Sequence, residues 1–213
     1  AHCVAYKPNL AFYECYGIDG MRALDATVDY IRSKYPEIFL IADAKRGDIG
    51  NTAKMYAKAI FEEMDFDAVT IAPYMGADSV TPFLEYKDKW AIVLALTSNA
   101  SAYQFQNAQK DGKPLYQAVM EEMMEISTPD NMMFVVGATK ADKLQELRSF
   151  CPDNFFLVPG VGAQGGSAEE VIANGSNEYG GLLINSSRGI LFADSTENYA
   201  KVAGEVAAQT ANL

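Results

Sequence analysis

Asp43, Lys45 and Asp48 place two carboxylates and an ammonium within six residues, directly after the apolar run IFLIA at 38–42. Lys7, at the end of HCVAYK and just before Pro8, adds a fourth charge at the end of another apolar run. Residues two apart on a strand point to the same side, so Asp43 and Lys45 are expected to share a face, with Asp48 following in the turn after Gly47. Alternating Lys, Asp, Lys and Asp side chains can neutralise one another while staying rigid, and together they present an acid, a base and a second acid to one substrate. A plainer reading stays open beside it. Asp and Lys are common at strand ends as solvated loop residues or as surface pairs worth about 0–1 kcal/mol.

A second constellation lies toward the other end of the chain. GAQGG follows FFLVPGV, and Arg188-Gly189 follows GLLINSS. Glycines let a backbone approach an anion closely, and an arginine can grip a phosphate through two parallel hydrogen bonds. Two readings stand for Gly162, Gly165 and Gly166: a phosphate loop, or a tight turn.

The elements that must position these residues form a regular series. Apolar runs occur in HCVAYKP, IFLIADAK, DAVTIAP, WAIVLALTS, MMFVVGAT, FFLVPGV and GLLINSS, giving seven strand candidates. Between them lie amphipathic stretches such as MRALDATVDYIRSKY, NTAKMYAKAIFEEM, YQAVMEEMMEIS, KADKLQELRSF and SAEEVIANGS. Strands alternating with helices imply a parallel sheet with crossover helices, an α/β fold. No GxGxxG follows the first strand, as a dinucleotide fold would require, whereas polar residues cluster after nearly every strand. That distribution suits a (β/α)8 barrel, whose active site is built from loops at the C-terminal ends of its strands. A phosphate site in such barrels commonly sits after the seventh and eighth strands. The two glycine- and arginine-bearing loops follow the sixth and seventh visible strands, so the first strand is expected to precede residue 1 or to be absent. The expected domain is a single barrel over residues 1–213, incomplete at its N-terminus. The irregular stretch 97–114 is either a lid or a solvated excursion.

Composition removes several classes of function. With 213 residues, 49% of them hydrophobic, the chain can bury a large core. Its longest apolar runs fall well short of the roughly 20 residues that span a bilayer. A net charge of −11 opposes a nucleic-acid surface. A single histidine, His2, nearly excludes serine–histidine triads and multi-histidine metal sites. Cys3, Cys15 and Cys151 lack paired spacing and are read as reduced thiols of a cytoplasmic protein.

The segment DAKRGDIGNT resembles the DxKxxD signature of the orotidine 5'-monophosphate decarboxylases. KPNLAFYE at 7–14, PYMGADS at 73–79, TSN at 97–99, PGVGAQGG at 159–166 and NSSRGI at 185–190 are similar to the bacterial branch of that family with longer insertions. The resemblance covers most of the chain. It implies a (β/α)8 homodimer that converts orotidine 5'-monophosphate to UMP and CO2, the last step of de novo pyrimidine biosynthesis, without a metal or organic cofactor. Carried over by motif, Lys7, Asp43, Lys45 and Asp48 form the charged tetrad, with Asp48 and Thr52 contributed across the dimer interface. Ser98 touches the pyrimidine and Pro159 lines the base pocket. Gln164, Ser187 through its backbone, and Arg188 hold the phosphate. The family's first strand, with an Asp that binds the ribose hydroxyls, has no counterpart here.

The lysine setting bears on the alternatives. A Schiff-base aldolase needs a neutral amine, and a lysine between two carboxylates is expected to keep its proton. Related barrels that act on sugar phosphates share DxKxxD and use its acids around Mg2+, a reading the same ammonium opposes by repelling a divalent cation. A Mg2+-dependent sugar-phosphate lyase and a catalytically silent phosphate-binding barrel therefore remain the two alternatives.

Overall fold

The structure, a computed structural model, describes residues 2–161 and 166–212. Strands and helices follow one another as β1 (Ala5–Tyr6), α1 (Gly17–Lys34), β2 (Phe39–Arg46), α2 (Gly50–Lys58), β3 (Ala68–Ile71), β4 (Trp90–Leu96), α3 (Leu115–Glu125), β5 (Met132–Val136), α4 (Ala141–Phe150), β6 (Phe155–Pro159), α5 (Ala168–Gly175), β7 (Leu182–Asn185) and α6 (Tyr199–Ala211). Each of the seven strand candidates coincides with one of these strands, β2 running one residue past IFLIADAK to Arg46. No helix among the described residues is long and apolar enough to cross a membrane.

The chain forms two compact units. Among the described residues, the first comprises Val4–Leu94 and Glu121–Met133, and the second 2–3, Ala95–Met120 and those from Phe134 onward. In the first unit β1 to β4 lie in chain order, and the three successive pairs are parallel, with Ala5 opposite Phe39, Ala42 opposite Val69, and Val69 opposite Ala91. The backbone N–H of Ala91 donates to Asn131, just ahead of β5, at 3.0 Å. In the second unit Gly137, just past β5, donates to Leu96 at 2.8 Å, and β5, β6 and β7 again follow chain order. β6 and β7 are parallel, with Pro159 opposite Asn185.

β1 is shorter than the apolar run that contains it because Pro8 has no N–H to continue a ladder. Its contact with β2 persists through carbonyls: Pro8 O accepts from Asp43 N–H at 3.0 Å, and Asp43 O accepts from Leu10 N–H at 3.3 Å. These two bonds bring the segment after Lys7 alongside Asp43.

In the first unit α1 buries Gly20, Leu24, Val28 and Ile31, a stripe at helical spacing, while Arg32 and Lys34 occupy its last turn, where cations complement the helix dipole. Leu24, Leu40, Ile60, Phe66, Val69, Ile71, Phe83 and Ile92 are essentially without solvent contact. All four residues of β3 are buried, as befits a strand covered on both faces. The N-terminal ends of β2 and β3 are tied by charge: Asp67 accepts from Leu40 N–H at 2.8 Å, and Arg32 pairs with Asp67 at 2.8 Å.

The second unit has its own core of Phe134, Val136, Leu144, Leu147, Phe156, Val158 and Val171. Arg148 organises the approach to β6 and β7 there. Its guanidinium donates to the carbonyls of Gly175, Cys151, Pro152, Asn154 and Gly181 at 2.7–3.1 Å and lies 4.0 Å from the ring centroid of Phe156. The stretch 97–114 is more ordered than its composition suggests. It contains a 3-10 turn at Ala100–Gln104 and a hairpin pairing Gln109–Lys110 with Lys113–Pro114. The hairpin turns at Asp111 and Gly112, both with positive φ, the backbone that an Asp-Gly turn adopts.

Candidate active site

β2 delivers Asp43 into the interior of the first unit, where it is 7% exposed. An isolated carboxylate there would lose several kcal/mol of hydration, so it needs compensating charge. Lys7 supplies it, with Nζ 2.5 Å from Oδ2. Lys45 pairs with the other oxygen, Oδ1. Thr70 on β3 adds a hydroxyl 3.2 Å from Oδ1, and Asn9 an amide nitrogen 3.4 Å from Oδ2. Burial pushes the Asp43 carboxyl up, but the Lys7 charge and the hydrogen bonds from Lys45 and Lys7 outweigh it, holding the group below the ordinary aspartate range.

The two lysines differ in what they can reach. The Lys7 side chain is 11% exposed and the Lys45 side chain 50%. Lys7 therefore serves as a fixed counter-charge, whereas Lys45 holds the same carboxylate and still offers its ammonium to a substrate.

Asp43 and Lys45 do meet, although simple strand alternation is not the reason. The ladder between β2 and β3 runs regularly to Ala42 opposite Val69, then resumes at Arg46 opposite Ile71. Three residues of β2 thus oppose Thr70 alone, the mark of a bulge that re-aims a side chain. Lys45 takes the strain, with φ 46°, a left-handed conformation rare for a residue bearing a Cβ.

Asp48 is not joined to this cluster within the chain. Its carboxylate accepts from Ile49 N–H at 2.8 Å and makes no ion pair among the described residues. Thr52 lies exposed in the first turn of α2. The structure thus brings together Lys7, Asp43 and Lys45 of the expected tetrad.

In the second unit, Ser98 sits two residues beyond β4 and packs tightly on Gly137. A Cβ at Gly137 would come within 2.7 Å of the Ser98 backbone nitrogen, so glycine is required for that approach. Pro159 is the last residue of β6. Ser187 and Arg188 are exposed after β7, where Ser187 O accepts from Ile190 and Leu191 N–H groups at 3.2 and 2.8 Å. The Arg188 guanidinium makes no ion pair among the described residues and is available to an anion. Gln164, with Gly162 and Gly165, lies outside the described residues. At Gly166 a Cβ would strike Ala138, so glycine there answers close packing within the chain.

Thr70 and Asn9 were not singled out from the sequence as site residues. A signal existed for Thr70: it interrupts the apolar run DAVTIAP with a hydroxyl, and a buried hydroxyl needs a partner.

The chain matches the model of the orotidine 5'-phosphate decarboxylase / HUMPS family over residues 1–203. It is 56% identical to an orotidine 5'-phosphate decarboxylase of Christiangramia forsetii over 203 residues, covering 95% of this chain and 75% of that protein. A relative of the same description from Phocaeicola vulgatus is 55% identical, with 97% and 76% covered. Among solved structures, the OMP decarboxylase of Leishmania donovani superposes with a TM-score of 0.84 at 36% identity, covering 97% of this chain and 79% of that one. UMP synthase of the same organism gives 0.86 at 39% identity, and there the chain covers 97% of itself but 45% of the longer protein. The fold class is accordingly the (β/α)8 barrel. With its charged cluster in the DxKxxD segment and a match along nearly its whole length, the chain belongs to the orotidine 5'-phosphate decarboxylase / HUMPS family.

Proposed function

We infer that the chain removes CO2 from C6 of orotidine 5'-monophosphate and yields UMP, the last step of de novo pyrimidine biosynthesis, by fixed charge. The observation that carries this reading is one buried carboxylate gripped by two ammonium groups, one of them half exposed. Breaking the bond from C6 to the carboxylate leaves an electron pair on a carbon with no carbonyl placed to delocalise it. Lys45 answers that need. Its ammonium stabilises the developing negative charge and donates the proton that completes UMP, after which the amine recovers a proton from water.

Asp43 holds Lys45 in place and lies near the departing carboxylate. Two like unit charges about 4 Å apart at an effective dielectric of about 20 repel by about 4 kcal/mol, and the repulsion fades as neutral CO2 forms. That is a minor share of the chemistry, since the largest enzymatic accelerations need about 20 kcal/mol or more. The remainder comes from transition-state electrostatics and from binding remote parts of the substrate. Ser98 and Pro159 contact the base, while Gln164, the Ser187 backbone and Arg188 hold the phosphate.

The working form is a homodimer in which Asp48 and Thr52 serve the partner's site. Two observations support this: Asp48 has no ion-pair partner among the described residues, and Ile49, Met55 and Met75 are exposed by 44, 60 and 50% in the same unit. Against a Mg2+-dependent lyase stands the engagement of both Asp43 oxygens by ammonium groups, which a divalent cation would have to displace. The test is the fall in ultraviolet absorbance as orotidine 5'-monophosphate is consumed in EDTA. Turnover supports the reading. Activity that appears only with Mg2+ points to the lyase, and UMP binding without turnover to a silent barrel.

A further inference from the structure

Thr70 lies in the middle of β3, 1% exposed, and its hydroxyl is shared between the two residues on which the proposed chemistry depends. It accepts from the backbone N–H of Lys45 at 3.0 Å and faces Asp43 Oδ1 at 3.2 Å, with the Ala42 carbonyl farther off at 3.5 Å. The bulge explains why a side chain is needed here. Where β2 leaves the ladder between Ala42 and Arg46, the Lys45 N–H has no carbonyl of β3 opposite it, and a partly buried N–H left without a partner is costly. The Thr70 hydroxyl takes the place of that carbonyl. In doing so it supports Lys45 in its left-handed conformation, and its single proton is directed to the Asp43 oxygen that Lys45 itself grips.

We propose that Thr70 is a positioning residue for the decarboxylation: its hydroxyl fixes the backbone of Lys45 and the carboxylate of Asp43 in one register, so that the ammonium is presented to C6 at the correct place. Thr70 itself touches no reacting atom. The idea rests on Lys45 as the proton donor, and a displacement of about 1 Å in such a group is enough to lower the rate about 100-fold.

The test compares Thr70→Val, which keeps the shape and removes the hydroxyl, with Thr70→Ser, which keeps the hydroxyl, both in the full chain with Lys45→Ala as reference. The expected result is a kcat at least about tenfold lower in Thr70→Val, KM within about threefold of the parent, and kcat restored to within about threefold in Thr70→Ser. Thr70→Val with kcat within about twofold of the parent overturns the proposal, as does an equal loss in both variants, the pattern of a packing role. If circular dichroism shows Thr70→Val unfolded, Thr70→Ala is read against Thr70→Ser by the same criteria. An inactive Lys45→Ala beside an unaffected Thr70→Val sinks this inference alone, whereas an active Lys45→Ala sinks the mechanism on which it rests.

Discussion

The Lys7 ammonium lies 2.5 Å from one carboxylate oxygen of Asp43, and both side chains are nearly removed from solvent. Lys45 holds the other oxygen. Because Asp43 is held below the ordinary aspartate value near 3.8, its contribution to stability is present above that pH. As the pH falls below about 4 the unfolded chain takes up the proton more readily than the native one, and the contribution is lost as the native carboxyl titrates. Lys7→Met removes one of the two counter-charges, so its acid-unfolding midpoint should move to higher pH. It should also lower stability at pH 7 by about 2–4 kcal/mol, since a buried charge loses a partner. Urea unfolding between pH 2.5 and 7 checks both, and an unchanged acid midpoint would show that Lys7 does not hold the carboxylate.

Arg188 is exposed after β7 and has no ion pair among the described residues. If it grips phosphate, Arg188→Ala should lower kcat/KM by at least about tenfold with little change in thermal stability. A loss of under about threefold, less than about 0.7 kcal/mol, would remove it from the substrate site.

Arg148 satisfies five carbonyls around the starts of β6 and β7. Lysine has no planar fork to reproduce this set, so Arg148→Lys should cost about 2 kcal/mol or more. For a chain of this size that corresponds to a Tm about 4–8 °C lower. A melting curve superposing on the parent would show that these bonds add nothing net.

Burial pushes the Cys151 thiol up to about 12, and its side chain has no solvent contact, whereas Cys15 is exposed. A thiol reagent at pH 8 should therefore modify Cys15 promptly and Cys151 only after denaturation, since the thiolate is the reacting form. Rapid native modification of Cys151, located by peptide mass, would contradict this.

Much of this architecture was legible in the sequence because apolar runs and amphipathic stretches alternate, and each of the seven runs coincides with a strand to within a residue at β2. The charged motif was legible for the same reason, since DAKRGD ends such a run. The geometry that makes it work was not. Strand alternation predicts Asp43 and Lys45 on one face, but the bulge and the left-handed Lys45 backbone arise from tertiary pairing with β3. Thr70 was passed over because a threonine in a strand is ordinary, and only its position opposite the bulge gives it two partners. The signal for helix α6 is weak because its apolar face, Val202, Ala203, Val206 and Ala207, is built mostly from small side chains with Gly204 between them, and none of its residues is buried. The hairpin at 109–114 had a signal in its Asp-Gly pair, outweighed by the polar composition around it.

In the proposed mechanism the Lys45 ammonium, held by Asp43, stabilises and protonates C6. The most direct test is the single-turnover rate of orotidine 5'-monophosphate decarboxylation in EDTA for the parent and Lys45→Ala, with UMP binding measured in both to establish an intact fold. The expected result is turnover by the parent and a rate at least about 1000-fold lower in Lys45→Ala, a loss of about 4 kcal/mol of transition-state stabilisation. A folded, UMP-binding Lys45→Ala whose rate stays within about tenfold of the parent would contradict it.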